Sequence, residues 1–205
     1  SIFTWNNPSI PADTTVAWKI LYVDTYGNWN STDQMTFTVT DAVVFHYLQI
    51  STNFGTVSPI NGWYPEGTSV SIEASAPAAG AGEQYLWNGW IGTGEGSYTG
   101  TNNPATIVMS QNITQVASWT RQYYLQVNDG GHGTTSGSGW YNSGASATFS
   151  IDPAIVYEGA TMRYVFTQWV GDSTSMDPNT TIIMDSPKTV TATWRADYTM
   201  PNTIL

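Results

Sequence analysis

The chain contains no cysteine among its 205 residues, so neither disulfide bonds nor thiolate metal sites contribute to its fold. Charged residues are scarce, at 10% of the chain against about 25% in an average globular protein. No apolar run approaches the roughly 20 residues needed to cross a bilayer, which predicts no membrane span. The first residues do not resemble a signal peptide, so we expect any targeting or anchoring segment to be removed or to lie outside this chain.

Basic residues are the scarcest charged group. Five Lys and Arg stand against 15 Asp and Glu, which gives a formal net charge of -10. The five basic positions are scattered: Lys19, Arg121, Arg163, Lys188 and Arg195. Because nucleic acids and anionic membranes are bound through clustered Lys and Arg, we expect neither as a partner.

Aromatic residues are abundant, with 10 Trp, 12 Tyr and 6 Phe available to build cores. Apolar and polar residues alternate in Tyr47–Ser51 and in Ser69–Ala74, which is the period of a half-buried strand. No window of 12 or more residues keeps a helical apolar period without an interrupting Gly or Pro. The sequence therefore predicts an all-β fold.

Two segments of the chain repeat each other. Tyr47–Ile50 returns as Tyr124–Val127 and Gly62–Tyr64 returns as Gly139–Tyr141, both at an offset of 77 residues (124 minus 47; 139 minus 62). The retained positions are mostly aromatic, aliphatic or glycine, the residue types of cores and turns. This is typical of a duplicated structural module, and it predicts tandem, sandwich-like modules in an elongated arrangement. The predicted boundaries are a first segment at 1–41, the first repeat at 42–121, the second repeat at 122–197 and a tail at 198–205.

The order of motifs in each repeat resembles the divergent internalin B-repeat family. The family pattern has a Tyr-hydrophobic strand, a Trp/Tyr-x-x-Gly turn, a Phe/Trp-x-x-Trp element, a Met-containing strand and a closing Val-x-Ala-x-Trp strand. The first repeat matches it at Tyr47, Trp63-Tyr64 with Gly67, Trp87, Trp90, Met109 and Val116–Trp119; the second at Tyr124, Trp140-Tyr141 with Gly144, Phe166, Trp169, Met184 and Val190–Trp194. The resemblance implies small β-modules of surface and secreted proteins, with no catalytic residues to carry over.

Residues 1–41 fall outside the repeat. They contain Trp18-Lys19-Ile20, then Asp24 and Gly27-Asn28, then Phe37-Thr38-Val39. This order resembles the end of a fibronectin III or bacterial Ig-like domain. Thr15–Val23 reads as a strand, Asp24–Asn28 as a turn, and Gln34–Val39 as a closing strand. The front half of such a domain is missing. We therefore expect a partial sandwich that packs on the first repeat or is completed by strands from elsewhere.

No catalytic residue and no metal or cofactor site emerges from the sequence. The two histidines, His46 and His132, occupy non-equivalent positions in the repeats, and a metal site needs three or four ligands. Asp172 and Asp177 flank a loop but lack the spacing of a calcium-binding loop. We therefore expect a protein that is not an enzyme.

The equivalent turn pairs Trp63-Tyr64 and Trp140-Tyr141 are the candidate ligand-binding residues, since exposed aromatic rings stack on sugars. The favoured alternative is that one ring of each pair packs into its module while the other covers a seam between modules. Trp90, Trp169, Trp119 and Trp194 lie in alternating strands and are expected in the cores. Three sequons make Asn30, Asn112 and Asn179 candidate N-glycosylation sites on an exported protein.

These observations predict a non-enzymatic, extracellular structural protein of the cell surface, such as a surface-layer, stalk or filament subunit. Its expected partners are copies of itself or neighbouring surface-protein domains. The partial sheet and the short apolar tail suggest assembly by strand donation between subunits. The alternative is a carbohydrate-binding or adhesion module of a secreted hydrolase or adhesin, with polysaccharide as its partner.

Overall fold

The structure, a computed structural model, describes residues 14–38 and 43–198. Within these ranges the regular elements are all strands, which confirms the predicted all-β class. No helix in the described ranges is long and apolar enough to span a membrane. The chain divides into one unit that ends at Phe45 and another that begins at His46. The predicted tail falls outside the described residues except for its first residue, Tyr198.

The first unit consists of two short antiparallel ribbons. Its strands are β1 (Thr15–Trp18), β2 (Leu21–Val23), β3 (Trp29–Ser31) and β4 (Met35–Thr38), with β1 paired to β4 and β2 to β3. The turn between β2 and β3 is held by Asp24, whose Oδ1 accepts hydrogen bonds from the amides of Tyr26 and Asn28 at 2.9 Å each. Every strand residue except Val16 is exposed, so the described part of this unit has no core of its own.

The second unit begins with the strands of the first repeat. They are β5 (Phe45–Thr52), β6 (Thr56–Ser58), β7 (Gly62–Pro65), β8 (Ser69–Ser75), β9 (Glu83–Thr93), β10 (Ala105–Val108) and β11 (Ile113–Asn128). Strands β6, β8 and β10 form a three-stranded sheet in the order β10-β8-β6. The other four belong to a large sheet that extends into the second repeat.

The second repeat has the same layout with one additional strand. Its strands are β12 (Thr134–Ser136), β13 (Gly139–Asn142), β14 (Ser146–Asp152), β15 (Ile155–Glu158), β16 (Met162–Gly171), β17 (Asn179–Ile183) and β18 (Lys188–Tyr198). Strands β12, β14 and β17 form its small sheet, and β13, β15, β16 and β18 join the large sheet. The additional strand is β15, which lies at the edge of the large sheet beside β16.

Strand β11 belongs to both repeats. Its first part pairs with β5 in parallel and with β9 in antiparallel orientation, while its last part pairs with β13 and, in parallel, with β18. The two repeats therefore share one continuous eight-stranded sheet. The predicted boundary between residues 121 and 122 lies inside this strand.

Each repeat has its own hydrophobic core, enclosed between its small sheet and the large sheet. The first core includes Leu48, Ile72, Trp90, Ile107, Met109, Ala117 and Trp119, and the second includes Leu125, Phe149, Phe166, Trp169, Met184, Val190 and Ala192. Trp90, Trp119 and Trp169 are buried, as predicted, and Trp194 is half-buried against the second core. Burying such a side chain contributes about 1.5–3 kcal/mol.

Both cores lie on the same side of the large sheet, because β11 turns its odd-numbered residues inward along its length. Ile113, Ala117 and Trp119 enter the first core, whereas Tyr123, Leu125 and Val127 enter the second. Successive side chains of a strand point to opposite faces, so the even-numbered residues form a common outer face.

Glycine turns tie the small sheets to the rest of each repeat in the same way. The amide of Gly67 donates to the carbonyl of Met109 at 2.9 Å, and that of Gly144 donates to the carbonyl of Met184 at 2.8 Å. Both glycines have positive φ, 77° and 82°, a conformation that costs little only without a Cβ.

Candidate functional site

The predicted Trp-Tyr pairs divide between the two sides of the large sheet. Since Trp63 and Tyr64 are consecutive in β7, their side chains must point to opposite faces, and the same holds for Trp140 and Tyr141 in β13. Tyr64 and Tyr141 pack against the first and second cores. Tyr141 also donates its hydroxyl hydrogen to the carbonyl of Gly137 at 2.8 Å. The tyrosines are therefore structural residues.

The tryptophans stay on the outer face, each beside a tyrosine of the adjacent strand. The ring centroids of Trp63 and Tyr47 are 5.1 Å apart, and those of Trp140 and Tyr124 are 5.3 Å apart. Trp63 is 65% exposed and Trp140 is 41% exposed. Each tryptophan contacts a tyrosine of its own repeat.

We call Tyr47 with Trp63 and Tyr124 with Trp140 the two aromatic pairs. The second pair is fixed by strand register, because Tyr124 lies directly opposite Trp140 in the antiparallel β11–β13 ladder. Cross-strand aromatic contacts of this kind stabilise a sheet by roughly 0.2–1 kcal/mol. Sequence reasoning found both tryptophans but missed Tyr47 and Tyr124 as their neighbours, although each tyrosine alternates with a core residue.

Along β11, the outer face between the aromatic pairs is uncharged and mainly polar, with exposed Ile91 and Leu86 of β9 beside it. The even-numbered residues of β11 are Thr114, Val116, Ser118, Thr120, Gln122, Tyr124, Gln126 and Asn128. Amide side chains connect strands across this face: Gln84 donates to Gln122 at 2.7 Å, and Gln122 donates to Asn142 at 2.9 Å. Further along, Asn128 donates to the hydroxyl of Thr191 at 3.2 Å.

A half-buried charge network lies on the opposite, core-facing side of β11, between the two cores. Arg121 pairs with Glu83 at 2.5 Å, and its guanidinium lies over the rings of Tyr123 and Tyr85, 4.8 and 5.9 Å from their centroids. The hydrogen bond from the hydroxyl of Tyr85, at 2.8 Å, together with one from the amide of Gly80 and the charge of Arg121, lowers the pKa of Glu83. The same hydrogen bond raises the pKa of Tyr85.

The junction between the repeats is also closed by backbone contacts. The amide of Tyr124 donates to the carbonyl of Gly82, and the amide of Ser143 donates to the carbonyl of Arg121, both at 2.9 Å. Gly82 has a φ of 71°, and a Cβ placed there would be 2.9 Å from the Cβ of Pro187.

The remaining titratable candidates do not converge on a site in the described ranges. His132 stacks on Tyr164 with ring centroids 3.6 Å apart and meets Trp194 edge-on. Asp172 accepts a hydrogen bond from the amide of Thr189 at 2.7 Å. Among residues 14–38 and 43–198, no three His, Asp or Glu side chains group together as metal ligands.

The three candidate glycosylation residues, Asn30, Asn112 and Asn179, are exposed. Asn30 and Asn179 lie in β3 and at the start of β17. The side-chain oxygen of Asn112 accepts a hydrogen bond from the amide of Tyr47 at 2.8 Å, which anchors the start of the strand that carries the first aromatic pair. Glycosylation at these three positions remains a prediction.

Comparison with known families agrees with the repeat seen in the fold. The divergent InlB B-repeat domain matches residues 46–122 and again residues 123–198. The chain belongs to this family. Domains of the family are typically modules of extracellular, cell-surface proteins. No curated protein and no solved structure is significantly similar to the chain.

Proposed function

We propose that this B-repeat protein is a non-enzymatic structural component of the cell surface, acting as a surface-layer, stalk or filament subunit. The main support is the sharing of β11 by the two repeats. A strand that ends one module and begins the next leaves no flexible linker between them, and flexible linkers are what normally permit motion between domains. A subunit that holds spacing or bears load at a surface needs such a fixed connection.

The use of the charged residues favours a structural role over a catalytic one. Three of the five basic residues form ion pairs within the described ranges: Arg121 with Glu83, Arg163 with Asp197 and Lys188 with Asp185. The last two pairs measure 2.7 Å. Catalytic carboxylates in hydrolases generally have raised or divergent pKa values. Here the pKa values of Glu83, Asp197 and Asp185 are lowered, chiefly by hydrogen bonds from Tyr85, Arg163 and Lys188 respectively.

Assembly between subunits is the second part of the proposal, and the first unit supports it. Val16 lies opposite Phe37 and Trp18 opposite Met35, so one face of the β1–β4 ribbon is apolar while its other face carries mainly threonines. Trp18, Met35 and Phe37 are each more than 40% exposed. An isolated two-stranded ribbon is marginally stable in water, so contact with a further sheet would stabilise it. We propose that strand donation between subunits provides that contact.

Electron microscopy of the purified chain at neutral and acid pH, with its mass in solution, tests this function. Ordered fibres or sheets are the expected result. Removal of residues 199–205, the proposed donor strand, should abolish assembly while thermal unfolding of the remaining strands is unchanged. A chain that stays monomeric under all conditions, or a truncated chain that assembles as before, would contradict the proposal.

A further inference from the structure

We propose that the part of the large sheet's outer face formed by β5, β7, β11 and β13 is a binding surface for neutral polysaccharide, with the two aromatic pairs as its contact points. This activity is separate from subunit assembly, since the β1–β4 ribbon takes no part in it. The proposal rests on three observations: exposed indole rings at equivalent places, an uncharged surface of mainly amide and hydroxyl side chains between them, and the distance that separates them.

The first observation is that each repeat exposes a tryptophan that the core does not need. Trp63 and Trp140 lie outside both cores, and the ring of each packs against a tyrosine ring. Exposing an indole ring to water is unfavourable, and exposed aromatics commonly mark binding surfaces. The C–H bonds on one side of a pyranose ring form an apolar surface that packs on an aromatic ring, while the hydroxyl groups stay in water or bind polar side chains.

The second observation concerns charge. Although the chain has 15 acidic residues, the outward-facing residues of β5, β7, β11 and β13 include no acidic and no basic side chain. They are mainly Thr, Ser, Gln and Asn, which both donate and accept hydrogen bonds, as sugar hydroxyls do. Gln122 and Asn142, beside the second pair, form part of this surface. A neutral glycan therefore fits better than an acidic one, which the net charge of -10 would repel.

The third observation is the spacing between the aromatic pairs. Leu48 lies beside Ile113 in the parallel β5–β11 ladder, so Tyr47 is level with residue 112, whereas the second pair lies at Tyr124. Twelve residues of strand span about 40 Å at roughly 3.3 Å per residue. A short oligosaccharide can reach one pair, whereas a long chain can contact both. The geometry therefore predicts a preference for polymers over oligomers through avidity.

Affinity electrophoresis of the full chain tests the proposal. Native gels would contain soluble β-1,4-glucan, β-1,3-glucan, galactomannan or arabinoxylan, with polygalacturonate as the acidic comparison. We expect at least one neutral polymer to slow migration and polygalacturonate to have no effect. Trp63→Ala or Trp140→Ala alone should weaken binding about tenfold or more, because one remaining contact gives no avidity, and the double variant should weaken it about tenfold further, because both contacts are then lost.

Trp29→Ala is the matched control, since Trp29 is 76% exposed but lies in the first unit. It should bind as the unmodified chain does. Trp63→Phe with Trp140→Phe keeps a smaller ring at each site and should show intermediate binding, and thermal unfolding checks that all variants are folded. Three outcomes would overturn the proposal: no retardation in any neutral gel, retardation unaffected by the double Ala variant, or a change in solution mass as the double variant's main effect, which would make the face a protein interface.

Discussion

The guanidinium carbon of Arg121 lies 4.8 Å from the ring centroid of Tyr123, two residues further along the same strand. Tyr123 is buried in the second core, whereas Glu83, the ion-pair partner of Arg121, belongs to the first repeat. Arg121 thus places a paired charge between two hydrophobic cores on one face of β11. The cation–π contact and the ion pair act together at the point where the repeats meet.

Arg121→Ala should weaken this junction. The substitution leaves Glu83 without its cationic partner and uncovers the rings of Tyr85 and Tyr123, so the midpoint of thermal unfolding should fall. Arg195→Ala, which removes an exposed arginine of β18, is the control and should have a smaller effect. Equal effects of the two substitutions would mean that the Arg121 network contributes little. Scanning calorimetry measures both.

The lowered pKa of Glu83 predicts a dependence of stability on pH. A carboxyl whose pKa is lower in the folded than in the unfolded state stabilises the fold above its unfolded value, about 4.3, and that contribution disappears as the pH falls through the folded pKa. Glu83→Gln should therefore flatten the decline in unfolding free energy between pH 5 and pH 2, roughly the window expected for such a group. Tyr85→Phe removes the leading hydrogen bond and should flatten it partly. Denaturant titrations at several pH values measure the unfolding free energy of the unmodified chain and of the two variants. The same decline with falling pH in all three would show that Glu83 does not cause this pH dependence.

Gly67 and Gly82 both have positive φ, but only Gly82 lies at the junction between the repeats. Comparing an alanine at each position separates the cost of backbone strain from the cost of a steric contact at the junction. Gly67→Ala adds a Cβ in open space at a φ of 77°, so we expect a loss of about 1–2 kcal/mol from the left-handed conformation alone. Gly82→Ala has a φ of 71° and also brings the new Cβ to 2.9 Å from Pro187. It should cost at least about 1 kcal/mol more, by overpacking the junction. Chemical denaturation compares the two variants, and similar losses would show that the junction adapts easily.

Gln115 provides a test of how the first repeat holds the glycine-rich loop between β9 and β10, residues 94–104. Gln115 is fully buried. With its side-chain amide assigned the orientation that satisfies both groups, it donates to the carbonyl of Tyr98 at 2.9 Å and accepts from the backbone amide of Tyr98 at 2.7 Å. Val190 has the equivalent place in the second repeat, since Gln115 lies beside Ile50 and Val190 beside Val127.

Gln115→Val should destabilise the fold by about 1–3 kcal/mol, because the backbone groups of Tyr98 lose their partner. Val190→Gln, the reciprocal change, should also destabilise it, since Val190 is fully buried in the second core and a polar amide is costly to bury there. Denaturant midpoints with an unchanged slope provide the measurement. A stabilising effect of Gln115→Val would show that the loop does not depend on this amide.

The repeat made much of the fold predictable from the sequence. Alternation placed Trp90 and Trp169 in the cores, and the paired glycine turns appear at equivalent positions. The continuity of β11 was not predicted, since the predicted repeat boundary lies between Arg121 and Gln122, inside this strand. What keeps them in the strand is Glu83, 38 residues earlier in the chain, together with cross-strand amides.

The candidate site was predictable in part. Consecutive residues of a strand must face opposite sides, so the sequence implied that one ring of each Trp-Tyr pair would be exposed. Which ring it would be depends on how β7 and β13 are oriented relative to the cores. Tyr47 and Tyr124 became visible as neighbours of the tryptophans through strand pairing, which links residues that are 16 positions apart in the chain (63 minus 47; 140 minus 124).

The odd-numbered inward face of β11 also limits how a protein of this kind can change its length. A single residue inserted between Trp119 and Tyr123 would reverse the facing of every later side chain in the strand, and the second repeat would have to build its core on the opposite side of the sheet. Insertions of two residues would keep both cores on the same side. Insertions and deletions within such a shared strand are therefore expected to add or remove an even number of residues. The loops outside the strand are not subject to this restriction.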